Sequence, residues 1–258
     1  CGARSIRYGN MVHNVLSVEA LLADGSKAHF KKLDEGDLSV SDTLTNSLLN
    51  LGRREADEIK KRFPKLLRRV GGYNIDELTK VSPNLGSLLV GSEGTLGFFQ
   101  KIHLELQTIP KEKVLGVCHF PTFYEAMEST QHIVKLDPTA VELVDRTMID
   151  LAREIPLFAP TVNRFVEGEP DALLLVEFAG EDRVEQLGKL ANLVEMMADM
   201  GFSDSVVEAT DDEFQPAIWE VRKQGLNIMM SMKGDGKPIS FIEDCAVDLK
   251  DLAEYTRR

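Results

Sequence analysis

Residues 84–110, NLGSLLVGSEGTLGFFQKIHLELQTIP, hold the pattern from which the fold is worked out. LLV at 88–90 reads as a short strand, GSEGTLG at 91–97 as a loop with three glycines, and the stretch from Phe98 as a strand of period two. Phe99, Ile102, Leu104 and Leu106 are the candidate core positions of that second strand. Glycine accepts positive φ and lets backbone N–H groups come close to a ligand, so such a loop suits a pyrophosphate or the edge of a ring. A glycine loop between strands is more often a plain turn. It is not GxGxxG and no helix plainly starts after it, which weighs against a Rossmann domain; a Walker loop is absent.

Upstream, NVLSVEALLADGSKAHF at 14–30 reads as two strands about an Asp24-Gly25 turn. From about 34 to 70 the chain becomes charged and helix-periodic, with Ile59, Phe63, Leu66 and Leu67 on one side. This reads as a surface helical insertion whose interleaved acids argue for a solvated face over a nucleic-acid site. Pro110 and the KEK after it mark a boundary between 1–109 and 110–258.

Downstream the alternation is regular: strands at 114–120, 140–145, 171–180, 205–210 and 239–247, with helices at 122–135, 146–155, 182–200, from about Asp211 through Arg222, and at the end. Strands alternating with helices of ten or more residues predict an α+β sandwich, helices stacked on one sheet face.

Length and composition bound the function. The chain has 258 residues with 43% hydrophobic content, enough for one or two cores. Thirty Lys and Arg against 42 Asp and Glu give a net charge of -12, which disfavours nucleic acid and anionic membranes as partners. Cys1, Cys118 and Cys245 are odd in number and far apart, so neither a disulfide framework nor a zinc site is expected, and a reducing, cytoplasmic setting is. No apolar run nears the roughly 20 residues of a transmembrane helix. There is no signal-peptide pattern and no initiator Met, and the start reads as the middle of a longer protein. The five histidines are scattered, so no nucleophile triad or metal site is expected. Arg222, on the mostly apolar helix PAIWEVRKQGLNIMM, is either half of an ion pair or a fork for a carboxylate, and the sequence favours the pair.

GARSIRYGN followed by NVLSVEALLADG resembles the second half of the FAD-binding domain in the vanillyl-alcohol oxidase and p-cresol methylhydroxylase superfamily. LLVGSEGTLGF at 88–98 resembles that superfamily's GSEGTLGI loop and is the most specific match. Residues 113–258 resemble the C-terminal cap domain of the FAD-linked oxidases, through AVELVDR at 140–146 and the WxxR helix at Trp219–Arg222. The similarity is strongest to D-lactate, glycolate and D-2-hydroxyglutarate dehydrogenases. The helical insertion is similar to that of large members with a downstream iron–sulfur module.

The resemblance implies a partial FAD-binding domain followed by a ferredoxin-like α/β cap, together part of an enzyme oxidising a D-2-hydroxyacid to the 2-oxoacid. It places Gly91, Ser92, Glu93, Gly94 and Gly97 along the FAD, Gly2, Tyr8, Gly9 and Val15 toward the flavin, and Arg222 on the substrate carboxylate with Lys237 as a second positive charge. It implies noncovalent FAD, and electrons leaving to an iron–sulfur module, a quinone or a cytochrome, so that an electron acceptor could draw the protein to a membrane. The family's first FAD half and its histidine segment are not among these residues, so the catalytic base is expected elsewhere, and the isolated chain is expected inactive and without bound FAD. Apolar surface left on 1–109 would favour homo-oligomers. Two other readings stay open: a non-catalytic ferredoxin-like binding or assembly module, and an alcohol oxidase of the same superfamily.

Overall fold

The computed structural model describes residues 2–34, 42–66, 68–236 and 245–258. The chain divides into two units, Cys1–Thr108 and Ile109–Arg258.

The first unit opens with two single-turn helices, α1 (Ser5–Tyr8) and α2 (Met11–Asn14), and continues with β1 (Val15–Leu21) and β2 (Lys27–Lys31). The Asp24-Gly25 turn joins the two strands as expected: Gly25 takes φ +81°, and Asp24 Oδ1 accepts the Ser26 N–H at 2.9 Å. Helix α3 (Thr43–Arg62) follows, then a 3-10 turn (Ile75–Thr79), α4 (Leu85–Leu89) and β3 (Phe98–Leu104). The strands form an antiparallel sheet in the order β2–β1–β3. Val15, Val18 and Ala20 of β1 pack with Phe30, Leu85, Leu88 and Leu89 in one core.

Two expectations fail in this unit. LLV at 88–90 is not a strand; Leu88 and Leu89 close helix α4. Asn84 caps that helix by accepting the Gly86 N–H at 2.9 Å, and all five helical residues are buried. A short apolar run buried all round shows no period, so strand and helix look alike in sequence. Three of the four core assignments on this stretch also fail, since Ile102, Leu104 and Leu106 are 48%, 42% and 88% exposed; Phe99 is half-buried and packs against the core. Strand β3 lies at the sheet edge, whereas α4 packs over β1 and β2.

The charged insertion is a capped helix. Asp42 accepts the Thr45 N–H at 2.8 Å, and the helix buries Leu49, Gly52 and Ile59 on one stripe. At Gly52 it meets the 3-10 turn so closely that a Cβ there would lie 2.6 Å from the Leu78 carbonyl oxygen. Backbone cannot retreat as a flexible side chain can. Gly52→Ala is therefore expected to destabilise the chain by about 1–3 kcal/mol despite alanine's higher helix propensity. The midpoint of urea unfolding measures this, and a rise in midpoint would contradict the close approach.

The second unit is built on β4 (Glu112–Phe120), β5 (Ala140–Asp145), β6 (Ala172–Gly180) and β7 (Val206–Ala209), all antiparallel in the order β5–β6–β4–β7. Between them lie α5 (Phe123–Ile133), α6 (Arg146–Glu154), α7 (Ala159–Phe165) and α8 (Arg183–Asp199). After β7 come α9 (Phe214–Lys223), α10 (Gly225–Met230) and the terminal α11 (Leu252–Arg257).

Helices cover both faces of this sheet, not one. Leu115, Val117, Leu173 and Leu175 face Met148 and Ile149 of α6, Phe165 of α7, and Phe214, Ile218 and Val221 of α9. Cys118, Phe120, Leu174, Val176 and Phe178 face Met127 and Ile133 of α5 and Leu190, Leu193 and Met197 of α8. A strand buried on both faces is apolar at every position, which is why ALLLV in β6 does not alternate. Of the strand expected at 239–247, residues 239–244 lie outside the described residues and 245–247 form no regular element. Among the described residues no helix is long and apolar enough to cross a membrane.

Candidate functional site

Two places carry the residues singled out from the sequence, one in each unit. In the first, α4 runs directly into the turn at 91–97. Asn84 fixes the start of α4 by donating Nδ2–H to the Val15 carbonyl at 2.7 Å, which ties the helix to the central strand. Asn74 fixes its end. This buried side chain donates from Nδ2 to the Ser87 and Val90 carbonyls at 3.2 and 2.8 Å. The turn after Val90 is therefore held from behind.

Gly91 and Gly94 take φ of +77° and +80°, and Glu93 between them takes +50°, a conformation that costs a residue with a Cβ. Gly91, Glu93 and Gly94 are exposed, so the turn stands open at those three positions. The N–H groups of Glu93 and Gly94 find no acceptor among the described residues. Ser92 is only 2% exposed, yet its Oγ has no hydrogen-bond partner among the described residues. Gly97 is needed for a different reason: a Cβ there would lie 3.0 Å from the Leu21 carbonyl oxygen. Outward amides beside an orphaned hydroxyl are donors without a protein acceptor, and a phosphate or ribose of a dinucleotide is the kind of group that supplies one.

The other residues placed toward a flavin differ among themselves. Gly2 is exposed, while Tyr8 and Gly9 are half-buried at the end of α1, where Gly9 takes φ +73°. Val15 is buried in the core, its N–H donates to Met11 and its carbonyl accepts from Asn84, so it has no spare polar group to offer.

Sequence reasoning missed Asn74 and its neighbour Tyr73. The Tyr73 hydroxyl lies 2.7 Å from Thr95 Oγ1, which itself donates to the Ser92 carbonyl at 2.6 Å. The signal was the GGYN segment at 71–74, which is glycine-rich and polar, yet contains a buried Asn. Asn74→Ala should cost about 1–3 kcal/mol, because two carbonyls at the end of α4 lose their donor. An unchanged urea midpoint would show that Asn74 does not brace the turn.

The second place is Arg222 on α9. The helix buries Phe214, Ile218 and Val221 against the sheet, which leaves Arg222 at the margin of that face. The helix begins at Phe214, three residues after the expected Asp211, which accepts the Glu213 and Phe214 N–H groups from the turn before it. Arg222 Nη2 donates to Glu142 Oε2 on β5 at 2.8 Å, with the two side chains 37% and 20% exposed. The ion pair favoured from sequence is thus present. It does not use up the guanidinium: among the described residues neither Nη1 nor the buried Nε meets an acceptor. On the other side Nη1 lies beside Gly225, the glycine that opens α10: a Cβ there would be in ordinary contact at 3.6 Å. Lys237 lies outside the described residues. Among the described residues no group of three His, Cys, Asp or Glu side chains could hold a metal.

The comparisons with known proteins bear on both places. Residues 109–258 match the family model of FAD linked oxidases, C-terminal domain. The chain is 26% identical to a D-2-hydroxyglutarate dehydrogenase of Pseudomonas putida and 30% identical to one of Escherichia coli, aligning over 98% of its own length and 27% of theirs. It is 27% identical to a D-lactate dehydrogenase of Archaeoglobus fulgidus, over its whole length and 45% of that protein. Among solved structures it is similar in fold to alkyldihydroxyacetonephosphate synthase in two crystal forms, with TM-scores of 0.50 and 0.51, identities of 14% and 15%, and coverage of 89% of this chain and 35% and 34% of those. The chain spans about a quarter of the length of the dehydrogenases it matches first.

Proposed function

Because the chain belongs to the FAD linked oxidases through their C-terminal domain, we propose that it forms part of a flavoenzyme that oxidises a D-2-hydroxyacid to the 2-oxoacid. The names of the relatives support this class of substrate. The observation that carries it is Arg222: a guanidinium more than a third exposed, with Nη2 paired to Glu142 and Nη1 meeting no acceptor among the described residues. A carboxylate is the ligand whose geometry matches the remaining donors of such a fork.

In this proposal the first unit contacts the cofactor. The Glu93 and Gly94 amides and the Ser92 hydroxyl take the dinucleotide's phosphate or ribose oxygens. When bound, FAD supplies the acceptor for the substrate's α-hydrogen, and electrons pass on to an iron–sulfur, quinone or cytochrome acceptor. Arg222 holds the substrate carboxylate; the protein's share is orientation and electrostatics.

Two experiments on the full-length protein test the parts separately. Gly94→Val puts a β-branched residue where φ is +80° and should sharply lower the flavin content of the purified protein. Retention of full flavin would favour a ferredoxin-like binding module instead. Arg222→Ala should raise KM for D-2-hydroxyacids about 100-fold, in keeping with loss of a charge-assisted pair worth roughly 1.5–3 kcal/mol. Arg222→Lys should recover part of this, since the charge returns without the planar fork. A KM unmoved by Arg222→Ala would defeat the hydroxyacid assignment and leave an alcohol oxidase as the better account.

A further inference from the structure

We propose that Glu142 is a positioning residue for the substrate carboxylate, acting through Arg222, an inference that rests on the role just given to Arg222. The evidence is the different stiffness of the two partners. Glu142 sits inside the β5–β6 ladder, opposite Leu175, with Val141 against Val176 and Leu143 against Leu174. Val141 and Leu143 turn into the core on one face, and Glu142 and Val144 turn to the face that carries α9. The ladder holds the Glu142 backbone, and at 20% exposed its side chain has less room to move than that of Arg222.

Arginine is the opposite case. Its head is carried on a flexible stem, and the Arg222 side chain is more than a third exposed. Among the described residues, Glu142 Oε2 is the one hydrogen-bond acceptor that reaches the guanidinium. It engages a single nitrogen, Nη2. The pair therefore fixes the direction of the fork and leaves Nη1 to be met by something else, while Nε lies buried. A pair that served only stability would be expected to meet the guanidinium more fully, because a buried donor without an acceptor is costly. The acid also stands in a strand that is otherwise almost wholly apolar, AVELVD.

The consequence is a split in the kinetics. Loss of Glu142 leaves the positive charge in place but unaimed, so binding of substrate should suffer more than turnover. The test measures KM and kcat for a D-2-hydroxyacid, with melting temperature, in full-length protein carrying Glu142→Ala, Glu142→Asp, Glu142→Gln, Arg222→Ala and the double Ala variant. Glu142→Ala is expected to raise KM about tenfold with kcat changed less than about twofold. Glu142→Asp withdraws the oxygen by one methylene and should behave like the alanine variant, whereas Glu142→Gln keeps an acceptor in place and should stay within about threefold of wild type. The Asp and Gln variants keep the test alive if alanine does not fold. The double variant should match Arg222→Ala alone, since there is then nothing left to aim.

If Arg222→Ala raises KM while neither Glu142→Ala nor Glu142→Asp does, the positioning role is overturned and the carboxylate role of Arg222 survives. Parallel losses in kcat, KM and melting temperature that Glu142→Gln does not rescue would make the pair merely structural and also overturn the proposal. A KM unmoved by Arg222→Ala defeats the underlying reading, and the proposal with it.

Discussion

The second unit rests on one ladder. β4 and β6 pair in unbroken antiparallel register over nine positions, from Glu112 opposite Gly180 to Phe120 opposite Ala172. Both faces of this pair are sealed by helices, so nearly every side chain along it is buried. At roughly 25 cal/mol per Å² of apolar surface removed from water, two cores sharing one sheet are the largest favourable term available to this unit. Gly116 shows how closely the layers approach: a Cβ there would lie 2.6 Å from Leu193 Cδ2 on α8. This rigidity matters for chemistry because β5 is hydrogen-bonded to β6 and α9 lies on the shared core, which brings Glu142 and Arg222 together from positions 80 residues apart.

The first unit solves a different problem. Its turn at 91–97 must present backbone amides outward while both ends are pinned. Asn84 and Asn74 do the pinning, each by hydrogen bonds from a side chain to carbonyls, at opposite ends of a five-residue helix too short to stand alone. Glycine at 91 and 94 makes the turn possible without strain at those two positions, and the strain that remains falls on Glu93. Strain kept beside an orphaned Ser92 hydroxyl is the pattern expected where a ligand, not the protein, completes the hydrogen bonding.

Sequence patterns made much of the second unit legible, though not helices α7 and α10. Strand β5 and helices α5, α6 and α8 lie where periodicity placed them, because each is long, capped by Thr122, Asp145 or Asp182 where it is a helix, and apolar with a clear period or run. The Asp24-Gly25 hairpin was legible for a local reason, since the turn chemistry is contained in three residues. Where the pattern misled, it did so for lack of a second layer. Ile102 and Leu104 alternate as a half-buried strand would, but burial depends on what lies over the strand, and α4 lies over β1 and β2.

The sequence alone determined what is encoded locally: element type where period and caps agree, the glycine turn, and the motifs that tie the chain to the FAD linked oxidases. Only the tertiary structure decided that helices cover both sheet faces, that Asn74 reaches back to brace α4, and that Glu142 is the residue Arg222 meets. Those are contacts between distant positions. Their distances are set by how layers pack, and packing is a property of the assembled core that no window of neighbouring residues contains.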